Sequence, residues 1–582
     1  MISTSFNLTR WRGIKGHDRC RVPRTLKLYP PGQTERGAYY NAMFAVPYPV
    51  IAIALAVVSV YFVAKDKLPL SSPPEFPLEK SSEPIDSMLS SCPLYTDYSK
   101  VPHEPFSTGP LKLPFQRPPP GCRTFHSDAV ENVIDKVTQR LVDPDLARLF
   151  ENCFPNTIDT TVRWHDPSPE NPRTFIVTGD INAEWIRDSH RQLSPYVSFA
   201  TQDKKLETML KGAIATHVEF MSQFPYCNAF NPPRGSNIPP EHQDTSDRVY
   251  PRYDPRVVFE GKYELDSVAS FFGLTNDYFE ATDDKAVLTS QWIATAKSLV
   301  RLIRDQMIPT FDEETGRLNR PRYTFQRQTD LGTETLSLGG AGNPVNGGTS
   351  LVRSAFRPSD DATIYQFFIP ANAQISVELK RAATMLDSVD KELSDELAEL
   401  HSAITDGIKK HAIVEHPQFG QVYAYEVDGY GGRLFMDDAN LPSLLSLPDL
   451  GFCDRNDPVY LNTRKMVLSN KGNPYYSEGP FFSGIGGPHA GITNAWPMSH
   501  MVRIRTSDDD EEIKAALELL KRSTHGLGLM HESINVYAPP SVGQFTRPWF
   551  AWANSEFAKT ILDLAQRKPY LIFDSNEPLD LS

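Results

Sequence analysis

The chain has 582 residues and a formal net charge of −13, with 59 Lys and Arg against 72 Asp and Glu. This length excludes a single small domain and accommodates one large toroid or barrel with attachments. The acidic balance excludes nucleic-acid binding as a global property, since basic residues concentrate only in the first forty positions.

The first element in chain order is a basic tail, residues 1–42. Arg10, Arg12, Lys15, Arg19, Arg21, Arg24, Lys27 and Arg36 there outnumber Asp18 and Glu35. Residues 43–64, "MFAVPYPVIAIALAVVSVYFVA", carry no charge, and that run is long enough to cross a hydrocarbon core of about 30 Å. It predicts one transmembrane helix. A cleavable signal peptide is disfavoured because the run begins late and has no small-x-small exit before Lys65. By the positive-inside rule the tail is cytosolic and the remainder lumenal, a single-pass type II arrangement. Residues 65–120 are rich in Pro and Ser without apolar periodicity and predict a stem. Beyond the span lie Cys92, Cys122, Cys153, Cys227 and Cys453; an odd number leaves at least one thiol out of any intrachain pairing, and a Cys92–Cys122 staple is plausible.

From residue 121 to 582 the texture is that of one domain. Long helical patterns such as "YELDSVASFFGLTNDYFEAT", "DKELSDELAELHSAITDGIKKH" and "EEIKAALELLKRSTHG" alternate with loops holding Gly, Pro, Asp and aromatics. Strands are few and short ("RTFIVTGD", "QVYAYEV"), with no strand–helix alternation. The chain reads as mainly α and fits an α/α toroid better than a bundle. Glycine-rich "SLGGAGNPVNGGTS" (337–350) lacks the lysine of a phosphate loop and reads as an active-site or surface loop.

Five loop-to-helix segments concentrate charge and aromatic rings. In "RPSDDA" the adjacent Asp360 and Asp361 admit two readings. One is a helix start, with Ser359 as N-cap and acids in the first turn. The other is a general acid whose like-charged neighbour is held ionised by Arg357. Glu532 in "MHES", after His531 and before Arg547, is the candidate partner. Two carboxylates from distant loops converging on one pocket are what glycoside hydrolysis requires. Asp180, Trp185, Arg187 and Asp188 in "TGDINAEWIRDS", and Glu264 and Asp266 in "KYELDS", suit recognition of sugar hydroxyls, as do His489 and Trp496 in "GGPHAGITNAWP". Trp185 alone is more readily explained by core filling. Aromatic residues make up 11 % of the chain; sugar faces are one partner for such a surplus and an aromatic core the other. No metal-ligand spacing and no cofactor motif is present, and "MHESI" lacks the second His of a zincin.

Taken in order, "TGDINAEWIRDS", "KYELDS", "YTFQR", "RPSDDA", "GIGGPHAGITNAWP" and "MHES" with "FTRPWFAWAN" resemble glycoside hydrolase family 125, the exo-acting α-1,6-mannosidases, over residues from about 125 to 570. The anchored, Pro-rich front end is similar to fungal members. The resemblance implies an (α/α)6 barrel and metal-independent hydrolysis with inversion, releasing terminal mannose from an oligosaccharide or glycoprotein glycan. The short tail, single anchor and stem fit the Golgi as the compartment, and the vacuole, plasma membrane or endoplasmic reticulum fits the same features. It places the acid at Asp360 or Asp361, with Asp360 preferred, and the base at Glu532. Inversion sets the two carboxyls roughly 6.5–9.5 Å apart. Asn182 and Glu184 depart from the bacterial pattern of the first motif. Another α/α-barrel glycosidase, glucosidase- or trehalase-like, shares the carboxylate pair, and a non-catalytic anchored glycan-binding protein shares the fold.

Overall fold

Two kinds of helix build the domain, and their N-termini tell them apart. The computed structural model describes residues 92–581 apart from residue 244. Seven helices carry a side-chain N-cap: α1 (Asp128–Arg140, capped by Ser127), α2 (Pro144–Cys153, Asp143), α4 (Lys204–Gln223, Asp203), α6 (Ser290–Met307, Thr289), α8 (Lys391–His411, Asp390), α9 (Pro458–Val467, Asp457) and α11 (Asp510–Arg522, Asp509). Each cap oxygen satisfies amide groups the helix cannot. These helices bury one stripe and expose the other, as in α11, where Ile513, Ala516, Leu517 and Leu520 face inward.

Apart from the two short helices Tyr95–Tyr98 and Asn156–Thr160, five more, α3 (Ile186–Leu193), α5 (Leu265–Thr282), α7 (Ile369–Leu386), α10 (Pro497–Arg505) and α12 (Ala551–Arg567), have no side-chain cap. Their N-cap positions hold Trp185, Glu264, Phe368, Trp496 and Phe550. They are buried nearly all round and pack in series, α7 on α5, α5 on α3, α3 on α12 and α12 on α10. This is the helix-rich architecture of an α/α barrel, with capped helices outside and uncapped ones within. Between α7 and α10 the inner wall is completed by the irregular stretch 441–452. Gly451 lies against Val377 of α7, and Asp449 takes both arms of Arg505 at 2.9 Å. Arg505 also reaches Glu556 of α12 at 2.6 Å, so one buried guanidinium ties the irregular stretch to two inner helices.

Three small antiparallel sheets feed the inner helices. Strands β1 (Glu184–Trp185), β2 (Ala229–Phe230) and β3 (Val258–Glu260) pair in that order, with Trp185 opposite Ala229. Next, β4 (Phe367–Phe368) pairs with β5 (Glu426–Val427), which pairs with β6 (Arg433–Leu434). Finally β7 (Asn494–Ala495) pairs with β8 (Ser533–Asn535), and β8 with β9 (Phe545–Thr546). Because β1 and β4 run directly into α3 and α7, and β7 is one residue from α10, the sheets set where those helices start.

The tail, the expected membrane span and the stem up to residue 91 lie outside the described residues; no helix among those described is long and apolar enough to cross a membrane. From Cys92 the expected stem is instead part of the folded body. The Tyr95 ring meets Trp549 edge-on at 4.8 Å, the Gln116 amide donates to Asn152 at 2.9 Å, and buried Arg117 pairs with Asp159 at 2.7 Å. Buried partners, which composition alone does not reveal, order this Pro-rich stretch. Cys92 and Cys122 form a disulfide, while Cys153, Cys227 and Cys453 are free.

Candidate active site

Three of the uncapped inner helices, α3, α10 and α12, place their N-cap residues Trp185, Trp496 and Phe550 in one pocket of about 60 Å³, whose lining also includes Arg187, Asp188, Asp360 and Glu532. Free amide groups and helix dipoles at that end favour negative charge, and carboxylates gather there. At the centre is the Arg187 guanidinium, buried at the start of α3. It lies 2.6 Å from Glu264, 3.2 Å from Asp266, 3.3 Å from Asp188 and 3.5 Å from Asp360. Asn228 adds an amide that donates to Glu260 at 3.1 Å, Glu264 at 3.0 Å and Asp360 at 3.4 Å. Lys262 lies buried beside Glu260 at 3.3 Å. Among the described residues no group of three or more His, Cys, Asp or Glu is placed to hold a metal ion; the cations among these acids are Arg187, Lys262 and Arg327, whose Nη2 lies 3.1 Å from Glu260.

Crowded carboxylates around few cations titrate unevenly. Burial raises Glu264 well above the usual carboxylate range against the pull of Arg187, and it pushes Asp188 up to about 6. Burial also favours the neutral form of Asp360, but Lys262 and then Arg187 outweigh it and hold Asp360 down at about 2. The Glu264–Asp360 pair therefore keeps its proton on Glu264 when the pocket is empty.

The Asp360–Asp361 loop is a tight reversal and no helix start. Phe356 bridges Ala362, the Asp360 amide donates to Arg357 O at 2.9 Å, and the Arg357 amide donates to Asp361 O at 2.8 Å. Asp360 occupies the left-handed region at φ +65°, which Asp tolerates better than most residues. The reversal gives the two carboxyls different surroundings. Asp360 is partly open and lines the pocket. Asp361 is buried, accepts from the Ser359 hydroxyl at 3.2 Å and lies 3.9 Å from His489. Ser359 thus bonds Asp361, and α7 starts ten residues later. Arg357 is also not the counter-charge of either aspartate. It is buried behind the loop with its Nε 2.6 Å from Glu426, whose other oxygen accepts from the Ile364 and Tyr365 amides at 2.9 Å each. That network anchors the loop from behind, outside the pocket lining.

Glu532 lines the pocket from the residue before β8. Its neighbour Arg547 has Nε 3.9 Å from Glu532 and 3.5 Å from the exposed Asp180 at the rim. His531 lies behind this wall and does not line the pocket. It is fully buried, stacks on Phe545 at 3.8 Å and hydrogen-bonds Arg547 O at 3.0 Å. Burial pushes it down to about 3, so it is a neutral prop for the Arg547 backbone. Gly179, at φ +135°, lies against the Trp549 ring where a Cβ would come within 3.0 Å; only glycine carries the chain past that ring toward Asp180.

Of the residues singled out from sequence, Trp185, Arg187, Asp188, Asp360, His489, Trp496, Glu532 and Arg547 line the pocket, as do Thr178, Asn440 and Trp552, which were not. Glu264 and Asp266 stand behind Arg187. Asn228 and Lys262 were missed, although Lys262 lies inside the "KYELDS" motif. A second pair, Asp437 and Asp438, was also missed. Both are fully buried; Asp437 accepts from the Leu444 and Leu445 amides at 2.8 and 3.0 Å, and Asp438 holds pocket residue Asn440 at 2.9 Å.

His489 supplies a pH-dependent contact. Burial disfavours its charged ring, but Asp361, and further off Glu532 and Asp360, outweigh burial and raise it to about 9. A folded value above the ordinary 6.5 stabilises the fold fully below pH 6.5, and this is lost as pH rises through about 9. The stability advantage of wild type over His489→Asn in urea unfolding is therefore expected to shrink between those limits. A difference constant with pH would place the stabilisation in packing instead.

Residues 143–562 match the family model described as metal-independent alpha-mannosidase (GH125). The meiotically up-regulated gene 157 protein of Schizosaccharomyces pombe is 57 % identical over 482 residues, covering 83 % of this chain and 94 % of its own. Among solved structures, a Streptococcus pneumoniae protein of a family of metal-independent alpha mannosidases, in a non-productive complex with alpha-1,6-mannobiose, superposes with a TM-score of 0.68 at 32 % identity, covering 76 % of this chain and 99 % of its own.

Proposed function

Because the chain belongs to the GH125 metal-independent α-mannosidases, and so to the glycoside hydrolases, we propose that its pocket removes terminal α-1,6-linked mannose from the non-reducing end of a glycan, with inversion. The observation that carries the proposal is the meeting of Asp360 and Glu532, from loops far apart in sequence, in one small pocket. The α-1,6 linkage is supported by the disaccharide bound to the Streptococcus pneumoniae relative.

In this reading Asp360 protonates the departing glycosidic oxygen and Glu532 takes a proton from the water that attacks the anomeric carbon. A sugar entering the pocket displaces water from Asp360, raising its proton affinity, and Glu264 passes on the proton it holds. Arg187 stays as the fixed positive charge between them, and Arg547 orients Glu532. Trp185, Trp496 and Phe550 offer apolar faces to the ring. The test is to follow α-1,6-mannobiose cleavage by NMR with a chelator present. The first-formed product is expected to be β-mannose. First-formed α-mannose would overturn inversion, and cleavage only of a gluco-configured substrate would overturn the sugar assignment.

The same reading places the catalytic domain on the lumenal side of a secretory-pathway membrane, foremost the Golgi, held by residues 43–64. It is supported by the uncharged run and its basic flank. Protease added to sealed vesicles should spare the domain until detergent is added; digestion in intact vesicles would reverse the orientation.

A further inference from the structure

Lys262 and Glu264 turn toward the carboxylate cluster, while Tyr263 between them lines a second cavity of about 360 Å³. This cavity has the opposite electrostatic character. Arg320, Arg322 and Arg353 line it with Asp305 as their acidic companion, on a chain whose net charge is −13. Arg322 lies 3.6 Å from Asp305, and Arg320 lies over the Tyr250 ring at 5.8 Å. Arg353 donates from Nη1 to the Gln306 carbonyl at 3.3 Å, and no carboxylate among the described residues pairs with it. Burial lowers it only to about 10, so it is charged at neutral pH. Beside it the Tyr263 hydroxyl is buried, with the residue 1 % exposed, and has no hydrogen-bond partner. Much of the remaining wall is apolar, with Phe311 and Leu318 bridged across a hairpin at the mouth.

A guanidinium without a carboxylate, in a cavity that Arg320 and Arg322 also line, asks for an oxyanion that accepts from it. The apolar wall asks for an apolar body on that anion, and the volume is that of a small-molecule site. We infer that this cavity binds a small organic anion, a phosphate monoester or carboxylate on an aromatic or aliphatic body, with Arg353 holding the anionic end. Nothing in the mannosidase reading requires such a site. It is nevertheless close to the active centre, because the Tyr263 carbonyl accepts from the Ala355 and Phe356 amides at 3.2 and 3.1 Å, just before the Asp360 loop.

Calorimetric titration of the full chain with phenyl phosphate, benzoate, phenol and inorganic phosphate tests the inference. Phenyl phosphate or benzoate is expected to bind about tenfold more tightly than phenol or inorganic phosphate, and the tighter of the two identifies the anionic group. Arg353→Gln should abolish that preference while leaving mannose release unchanged. No binding of either aromatic anion up to about 10 mM, or binding that survives Arg353→Gln undiminished, would overturn the site. Because the readout is binding, the result does not depend on which sugar the enzyme cleaves.

Discussion

Asp360→Asn is expected to slow release of mannose from α-1,6-mannobiose by about 10³-fold, within the usual contribution of a general acid, in a variant that still folds but melts lower, because the charge held by Lys262 and Arg187 is gone. The amide keeps the shape of the carboxyl and its place beside Asn228 and Arg187, so the loss falls on proton donation. The informative comparison is the leaving group. A mannoside of an acidic phenol departs with little need of a proton, so for that substrate the same variant should lose only about tenfold. Asp361→Asn is the internal control. Asp361 is buried against Ser359 and His489 and does not line the pocket, so its replacement should disturb both substrates alike. If Asp361→Asn, and not Asp360→Asn, shows the dependence on leaving group, the acid is Asp361.

The electrostatics make this experiment sharper than the sequence alone would. An acid held at about 2 in the empty pocket is ionised at working pH and must receive a proton as the sugar binds. Glu264, raised well above the carboxylate range by burial, is the adjacent source. The alkaline limb of kcat/KM then reports the proton shared by the Glu264–Asp360 pair in the free enzyme, a property of the pair and of neither residue alone.

Sequence periodicity reveals the outer helices well. The segments "DKELSDELAELHSAITDGIKKH" and "EEIKAALELLKRSTHG" correspond to Lys391–His411 and Asp510–Arg522, because one apolar stripe against solvent leaves a 3.6-residue signature. The short inner helices Ile186–Leu193 and Pro497–Arg505 bury nearly every residue, so they have no polar face to mark the period and read only as charged, aromatic segments. Those segments nonetheless hold most of the pocket. Pairing between distant residues was not legible. Arg357 stands three residues before Asp360, yet it serves Glu426, while the arginine that serves Asp360 is Arg187, 173 residues away. The pair Asp437–Asp438 escaped notice because nothing in "MDDANLPS" distinguishes a buried loop from an exposed one. Asn228 escaped for the same reason, as an amide inside a loop. The glycine-rich stretch 337–350 proved to line the second cavity and not the first.

Glu532→Gln is expected to cost about 10³-fold or more with both mannobiose and the activated aryl mannoside, the signature that separates base from acid. A better leaving group cannot help when the missing step is removal of a proton from water. The backbone here is fixed independently of the carboxyl, since the Glu532 amide donates to Thr546 O at 3.3 Å and β8 pairs with β9, so the variant should fold as wild type does. Azide, a nucleophile with no proton to lose, should restore part of the turnover on the aryl mannoside and yield β-mannosyl azide, formed by attack on the face opposite the departing phenol. An α-mannosyl azide, or wild-type turnover without azide, would remove Glu532 from the position of base. The wild-type product is needed alongside, because a nucleophilic carboxylate replaced by an amide would also yield the β-azide. Only an enzyme that releases β-mannose from an α-linked substrate gives Glu532 a water to activate, which requires the wider separation of carboxyls that inversion implies.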